Sequence, residues 1–124
     1  MLDLSIASHE RHERFLQRII AAREVWGLES NHGWAMTESS TEPTEGRKII
    51  PFWSDRAYAR QCARNEWSHY QATPIPLDLF IERWLPGMNA DRVLVGTNWN
   101  AQLCGHEIEP AELLRQIEKH SSIQ

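Results

Sequence analysis

The side chains of this chain that could do chemistry are six histidines, two cysteines, six tryptophans and a row of arginines. His9 and His12 stand three apart, a spacing that puts both imidazoles on one face of a helix. Two imidazoles are short of the three or four ligands a metal site needs, and no further His or Cys is spaced to complete the set. The expectation is two solvated histidines and no metal. Cys104 and His106 are two apart and share a face if the segment is a strand, whereas His106 and Glu107 then point to opposite faces. A Cys-His nucleophile pair also needs an orienting third group. Neither Cys62 nor Cys104 lies in a C-x-x-C pair, and both read as structural thiols. No nucleophile elbow, phosphate loop or dinucleotide fingerprint is present, so no cofactor and no catalytic residue are expected.

The arginines and tryptophans carry a different signal. Arg56, Arg60 and Arg64 recur every four residues, Trp53 and Trp67 bracket them, and Trp99 sits in the polar stretch TNWN. Trp84 belongs to an apolar stripe and is expected in the core. Most of the six tryptophans are expected in the core; any partial exposure is expected among Trp53, Trp67 and Trp99, because they end a strand, end a helix and lie among polar residues. Exposed aromatics beside arginines are common interface anchors. Trp53, Arg56, Arg60, Arg64, Trp67 and Trp99 therefore form the predicted contact surface, for a protein partner or for a second copy of the chain. Three arginines make a short stripe, and 13 basic against 17 acidic residues give a net charge of −4, so nucleic acid is not the expected partner.

These features support a non-enzymatic protein-binding module: an adaptor, a regulator or an immunity-like partner. The alternative is a small enzyme or ligand-binding protein whose site assembles from distant residues, with His32, Glu38, His69, Cys104 and His106 as candidates. A deep pocket with convergent polar groups favours the alternative; a flat aromatic patch favours the module.

The elements that must position these residues follow from hydrophobic spacing. Residues 8 to 23 predict a helix capped by Ser8, with Phe15, Leu16, Ile19 and Ile20 as one stripe. Strands are expected at 25 to 28 and 34 to 38, joined by the turn residues SNHG, and at 47 to 53 after a polar loop. These three are close enough for an antiparallel meander. Pro51 cannot donate to a ladder and belongs at an edge, a bulge or a strand end. Ser54 caps a helix running to about Glu66, with Tyr58, Ala59, Cys62 and Ala63 on its inner face. A weaker strand follows at 69 to 75. Leu77, Phe80, Ile81, Trp84 and Leu85 make a complete helical stripe, stopped by Pro86-Gly87. Residues 92 to 96 and 103 to 108 read as strands, and Pro110 opens a closing helix with Leu113, Leu114 and Ile117 inward.

The prediction is a single α+β domain: a mixed sheet of about five or six strands with about four packed helices. At 124 residues the chain buries enough surface to need no metal or disulfide. The N-terminus lacks a basic region followed by an apolar run, and no segment reaches the length of a membrane span. A cytoplasmic location is expected, with no membrane partner and both thiols reduced.

The pieces ERFL, EVWGL, GWAM, IIPFW, the pair EW at 66 and 67, IPLDLFIERWLPG and EPAELL, with their tryptophans and flanking Gly and Pro, resemble a bacterial family known as domain of unknown function 2750. The resemblance runs from about Glu10 to about Leu114. It implies small cytoplasmic bacterial proteins and brings no activity, cofactor or catalytic residue.

Overall fold

A computed structural model of the chain describes residues 4–122. Helix α1 (Leu4–Ala22) begins earlier than the sequence suggests. Ser8 is inside it, and its hydroxyl accepts from Arg11 rather than capping the helix. Phe15, Leu16, Ile19 and Ile20 are buried as a stripe, and the stripe extends one turn back to His12. The helix stops at Arg23, whose φ of 59° is left-handed and whose N–H reaches the Ile19 carbonyl at 2.9 Å. A left-handed residue at this place ends a helix by satisfying a free carbonyl.

Strand β1 (Glu24–Ser30) pairs with β2 (Gly33–Trp34) across a two-residue turn and with β5 (Gln71–Pro76) on its other side, both antiparallel. The expected returning strand divides at Ala35–Met36. Its second piece, β3 (Thr37–Glu38), pairs with β4 (Lys48–Phe52) instead of with β1. The result is two sheets rather than one meander: β2-β1-β5 and β3-β4-β6-β7. In the second sheet β4 and β6 (Leu94–Thr97) run parallel, and β7 (His106–Ile108) returns antiparallel.

Trp53 joins the sheets. Its backbone exchanges two 2.8 Å hydrogen bonds with Trp26 of β1. Alternate residues of a strand direct their N–H groups to the same side. Ile49, Pro51 and Trp53 therefore all face away from β6, toward β3 and β1. Ile49 pairs with Thr37 and Trp53 with Trp26, and the missing N–H of Pro51 falls in the gap between them. The proline marks the point where β4 changes sheet, at no cost in ladder bonds.

Between β4 and β5 lie α2 (Arg56–Gln61) and a 3₁₀ turn (Asn65–Trp67). The helix is shorter than the expected run to Glu66. After β5 the chain is helical from 77 to 90, as α3 (Leu77–Leu79), a π-turn (Phe80–Trp84) and α4 (Leu85–Ala90). Pro86 does not stop it. In a regular helix Pro86 would clash with the Glu82 carbonyl and leave it unpaired. The wide turn just before Pro86 changes that spacing, a common accommodation of helix proline. Helix α5 (Pro110–Ser122) closes the chain.

The main core gathers α1, α5 and the 77–90 run against both sheets through Phe15, Ile19, Phe52, Phe80, Val95 and Leu113. A second core of Leu28, Ala35, Trp53, Ala59, Cys62 and Trp67 lies beneath α2.

The tryptophan expectations are reversed. Trp53, Trp67 and Trp99 are buried, at 0%, 6% and 6% exposure. Trp84 is partly exposed and packs edge-on against Trp34 and Phe52 at the margin of the core. Trp53 ends a strand, but that end is the joint between the sheets, roofed by α2. Trp67 turns back under the same helix. Trp99 owes its burial to glycine: a Cβ on Gly96 or Gly105 would come within 2.7 or 2.4 Å of its indole. The left-handed Asn98 (φ 47°) folds Trp99 back into that slot, where its Nε1–H donates to the His106 carbonyl at 2.9 Å.

Candidate functional site

The short helix α2 presents three flanks. Its N-cap is Asp55 rather than Ser54, and Asp55 makes no side-chain cap bond. That carboxylate instead takes an ion pair from Arg18 of α1 at 2.6 Å and a hydrogen bond from the Ser54 hydroxyl at 2.9 Å. Ala59 and Cys62 face the core, while Tyr58 and Ala63 are only partly buried. Burial raises the Cys62 thiol to about 11, so it stays protonated and donates weakly to the Trp99 and Asn100 carbonyls at 3.5 and 3.3 Å. Tyr58 and Gln61 face α1, where Arg18 lies over the Tyr58 ring at 5.7 Å.

The third flank holds Arg56 and Arg60. With Ala63, Tyr70 and the edge-strand residues Gln71 and Ala72 they line a groove of about 530 Å³. Both arginines are exposed, and among the described residues neither has an acidic partner within ion-pair distance. Arg64 is also exposed and unpaired, but it lies beyond the helix in extended backbone and does not line the groove. Of the predicted contact surface, the arginines face water and the three tryptophans do not.

The five candidates of the alternative reading do not converge. His32 and His69 share an open depression with Glu29, Asn31 and Gln71. Glu38 pairs with Lys48 at 3.0 Å. Cys104 is exposed, and no hydrogen bond joins it to His106. His106 stacks on His12, with ring centroids 4.3 Å apart.

The expectation of two solvated histidines on α1 fails for His12, which is 2% exposed. Its Nε2 lies 2.7 Å from Gln116 Oε1 of α5 and its Nδ1 2.8 Å from the Thr97 hydroxyl of β6. An amide oxygen only accepts, so Nε2 carries the proton and Nδ1 accepts from Thr97. Burial lowers the pKa of His12, and burial with the like charge of His12 pushes His106 down to about 4. Both rings are therefore neutral at pH 7, and His12 serves as a polar tie between α1, α5 and the sheet with the His106 ring packed against it. Among the described residues, every buried side-chain nitrogen and oxygen has a hydrogen-bond partner. No group of three or more His, Cys, Asp or Glu there is placed to hold a metal.

Asn98, 3% exposed, is a hub that sequence reasoning missed. Its Oδ1 accepts from the Ser54 N–H at 2.8 Å, and its Nδ2 donates to the Ser54 hydroxyl and the Arg11 carbonyl. The available signal was an Asn directly after a β-branched strand, a residue type that tolerates left-handed backbone.

The site residues lie within the span matched by a family model, residues 12–117, described as protein of unknown function (DUF2750). The chain belongs to this family. No curated protein and no solved structure gives a significant match. The DUF2750 match opens at His12 and ends at Ile117, so it takes in the His12–Gln116 tie, the joint at Trp53 and all of α2. No described helix of this DUF2750 chain is long and apolar enough to cross a membrane.

Proposed function

We propose that this DUF2750 protein is a non-enzymatic binding module, and that the outer flank of α2 receives an acidic segment of a protein partner. One observation carries the reading: Arg56 and Arg60 line a groove unpaired in a chain whose net charge is −4. Other arginines are engaged, Arg18 with Asp55 and Arg47 with Glu109. Two free guanidinium groups one helical turn apart suit carboxylates, which they bind through paired N–H donors. Tyr70 adds an aromatic wall, the usual companion of arginine at interfaces. The groove borders β5, an edge strand, but Pro74 and Pro76 lack the N–H groups that a pairing strand needs. Side chains rather than an added strand are the expected means of recognition. The short arginine row and the acidic balance of the chain argue against nucleic acid.

The two cysteines form no disulfide and one is exposed, which agrees with a reducing, cytoplasmic setting. Exposed charge pairs contribute roughly 0.2–1 kcal/mol each, so binding should be modest and weakened by salt. The test is fluorescence anisotropy with a labelled Asp/Glu-rich peptide containing one aromatic residue, with a single-stranded oligonucleotide and the unlabelled peptide as competitors. Salt-sensitive binding that the unlabelled peptide displaces and the oligonucleotide does not supports the module. Displacement by the oligonucleotide, or absence of peptide binding, overturns it.

A further inference from the structure

A small cavity lies on the opposite flank of α2, separate from the groove. It holds about 160 Å³ and is lined by Arg11 and Arg14 of α1, Tyr58 and Gln61 of α2, and Asn98, Trp99 and Asn100 after β6. Its place is telling. β4 and β6 are parallel, and the cavity sits just past their carboxyl ends, where open sheets with parallel strands commonly bind ligands.

The lining is rich in donors and has no carboxylate. Arg14 is exposed, and its one polar contact among the described residues is a long one, 3.5 Å, to the Tyr58 hydroxyl. Arg11 is held in place by donation from Nε to the Asn98 carbonyl at 3.0 Å and from Nη2 to the Cys104 carbonyl at 3.2 Å, and among the described residues Nη1 has no partner. The Asn100 Oδ1 accepts from the Gln102 and Cys104 N–H groups, so its NH₂ group is free to donate. The back wall is rigid, because Asn98 is fixed by Ser54 and Arg11. The acid nearest in the chain to Tyr58, Asp55, is already neutralised by Arg18. Two guanidinium groups, one carboxamide donor and a phenol around a walled space recognise negative oxygen atoms.

Size narrows the class. A liquid water occupies about 30 Å³, so the space accommodates roughly five waters. Pockets for drug-sized ligands start at roughly 300 Å³, so a whole nucleotide would not be enclosed. We infer that this cavity is a binding site for a small oxyanion, either inorganic phosphate or a short carboxylate.

The test follows backbone amide and indole NMR signals of the full chain during titrations with sodium phosphate and with sodium malonate, each at constant ionic strength against chloride. The expected result is saturable shifts at Asn98, Trp99 and Asn100 with at least one anion, and whichever saturates names the source. Arg14→Gln, at an exposed position, should weaken that affinity by about tenfold or more while leaving the spectrum folded, because charge-assisted bonds are the strong ones. Asn100→Ala should weaken it less. Shifts that do not saturate with either anion, that are unchanged in Arg14→Gln, or that appear at Arg56 and Arg60 instead would overturn the assignment. The last outcome would leave the α2 groove reading intact.

Discussion

Arg11 and Arg18 of α1 and Arg56 and Arg60 of α2 both recur at helical spacing, and the two pairs are used in opposite ways. Arg11 is tied to two carbonyls across the fold, Arg18 pairs with Asp55, and Arg23, just past the helix, pairs with Asp78. They hold α1 to the loop after β6, to the start of α2 and to α3. Arg56 and Arg60 meet no acid, because their flank faces Tyr70, Gln71 and Ala72 across a groove. Spacing decides which face an arginine occupies. Whether it fastens the fold or stays free depends on what the opposing element supplies.

Both sets depend on the platform that α2 rests on, so the largest effect should come from removing that platform. Trp53→Ala empties a fully buried site and takes from the Trp99 carbonyl its 3.0 Å indole donor, leaving it the Cys62 thiol at 3.5 Å. A loss of about 3–5 kcal/mol in urea denaturation is expected, the range for large aromatic truncations. A loss below about 1 kcal/mol would mean that Trp53 is not the joint between the sheets.

A smaller, pH-dependent loss should come from the stacked histidine pair of α1 and β7. His106 is neutral in the fold down to about pH 4, whereas the unfolded imidazole takes a proton near 6.5. Stability from this group is therefore fully present above pH 6.5 and is lost as pH falls toward 4. His12 acts in the same direction. Urea midpoints measured from pH 7 to pH 4 should fall, and His106→Gln should flatten the decline. An equally steep decline in that variant would remove His106 as its source.

The arginines themselves should separate at the low end of the scale. Arg18→Ala breaks an exposed ion pair and a ring contact and should cost about 0.2–1 kcal/mol. Arg56→Ala with Arg60→Ala should change stability by less than about 0.5 kcal/mol, as for surface positions without partners. If the double variant proves the more destabilising, the distinction between fastening and free arginines is wrong.

What could be read in advance was local. The stripes of α1 and of 77 to 85, the strand around Ile49 and Ile50, the closing helix at Pro110 and the outward arginine row all follow from spacing within one element. The misreadings were of contacts made at a distance. His12 finds its partners 85 and 104 residues away. Trp99 is buried because Gly96 and Gly105 leave room on two different strands or their ends. Pro86 fails to stop its helix because a π-turn precedes it, and that turn has no sequence signature comparable to a proline. The returning strand divides at Ala35–Met36 because β1 and β4 each claim part of it. Of the contact surface, the arginines stayed legible because exposure is a property of one helix face, and the tryptophans did not because burial is a property of the whole fold.

The most direct measurement is a charge exchange. Arg56→Glu with Arg60→Glu reverses the groove at two exposed positions and leaves the core untouched. Binding of this double variant and of the natural chain is compared for an Asp/Glu-rich peptide and for its Lys-rich counterpart, with Arg18→Ala as the control. If α2 docks an acidic segment, the double variant loses the acidic peptide by about tenfold or more and gains the basic one, while Arg18→Ala binds as the natural chain does. Equal affinity of the natural chain and the double variant for the acidic peptide would contradict it.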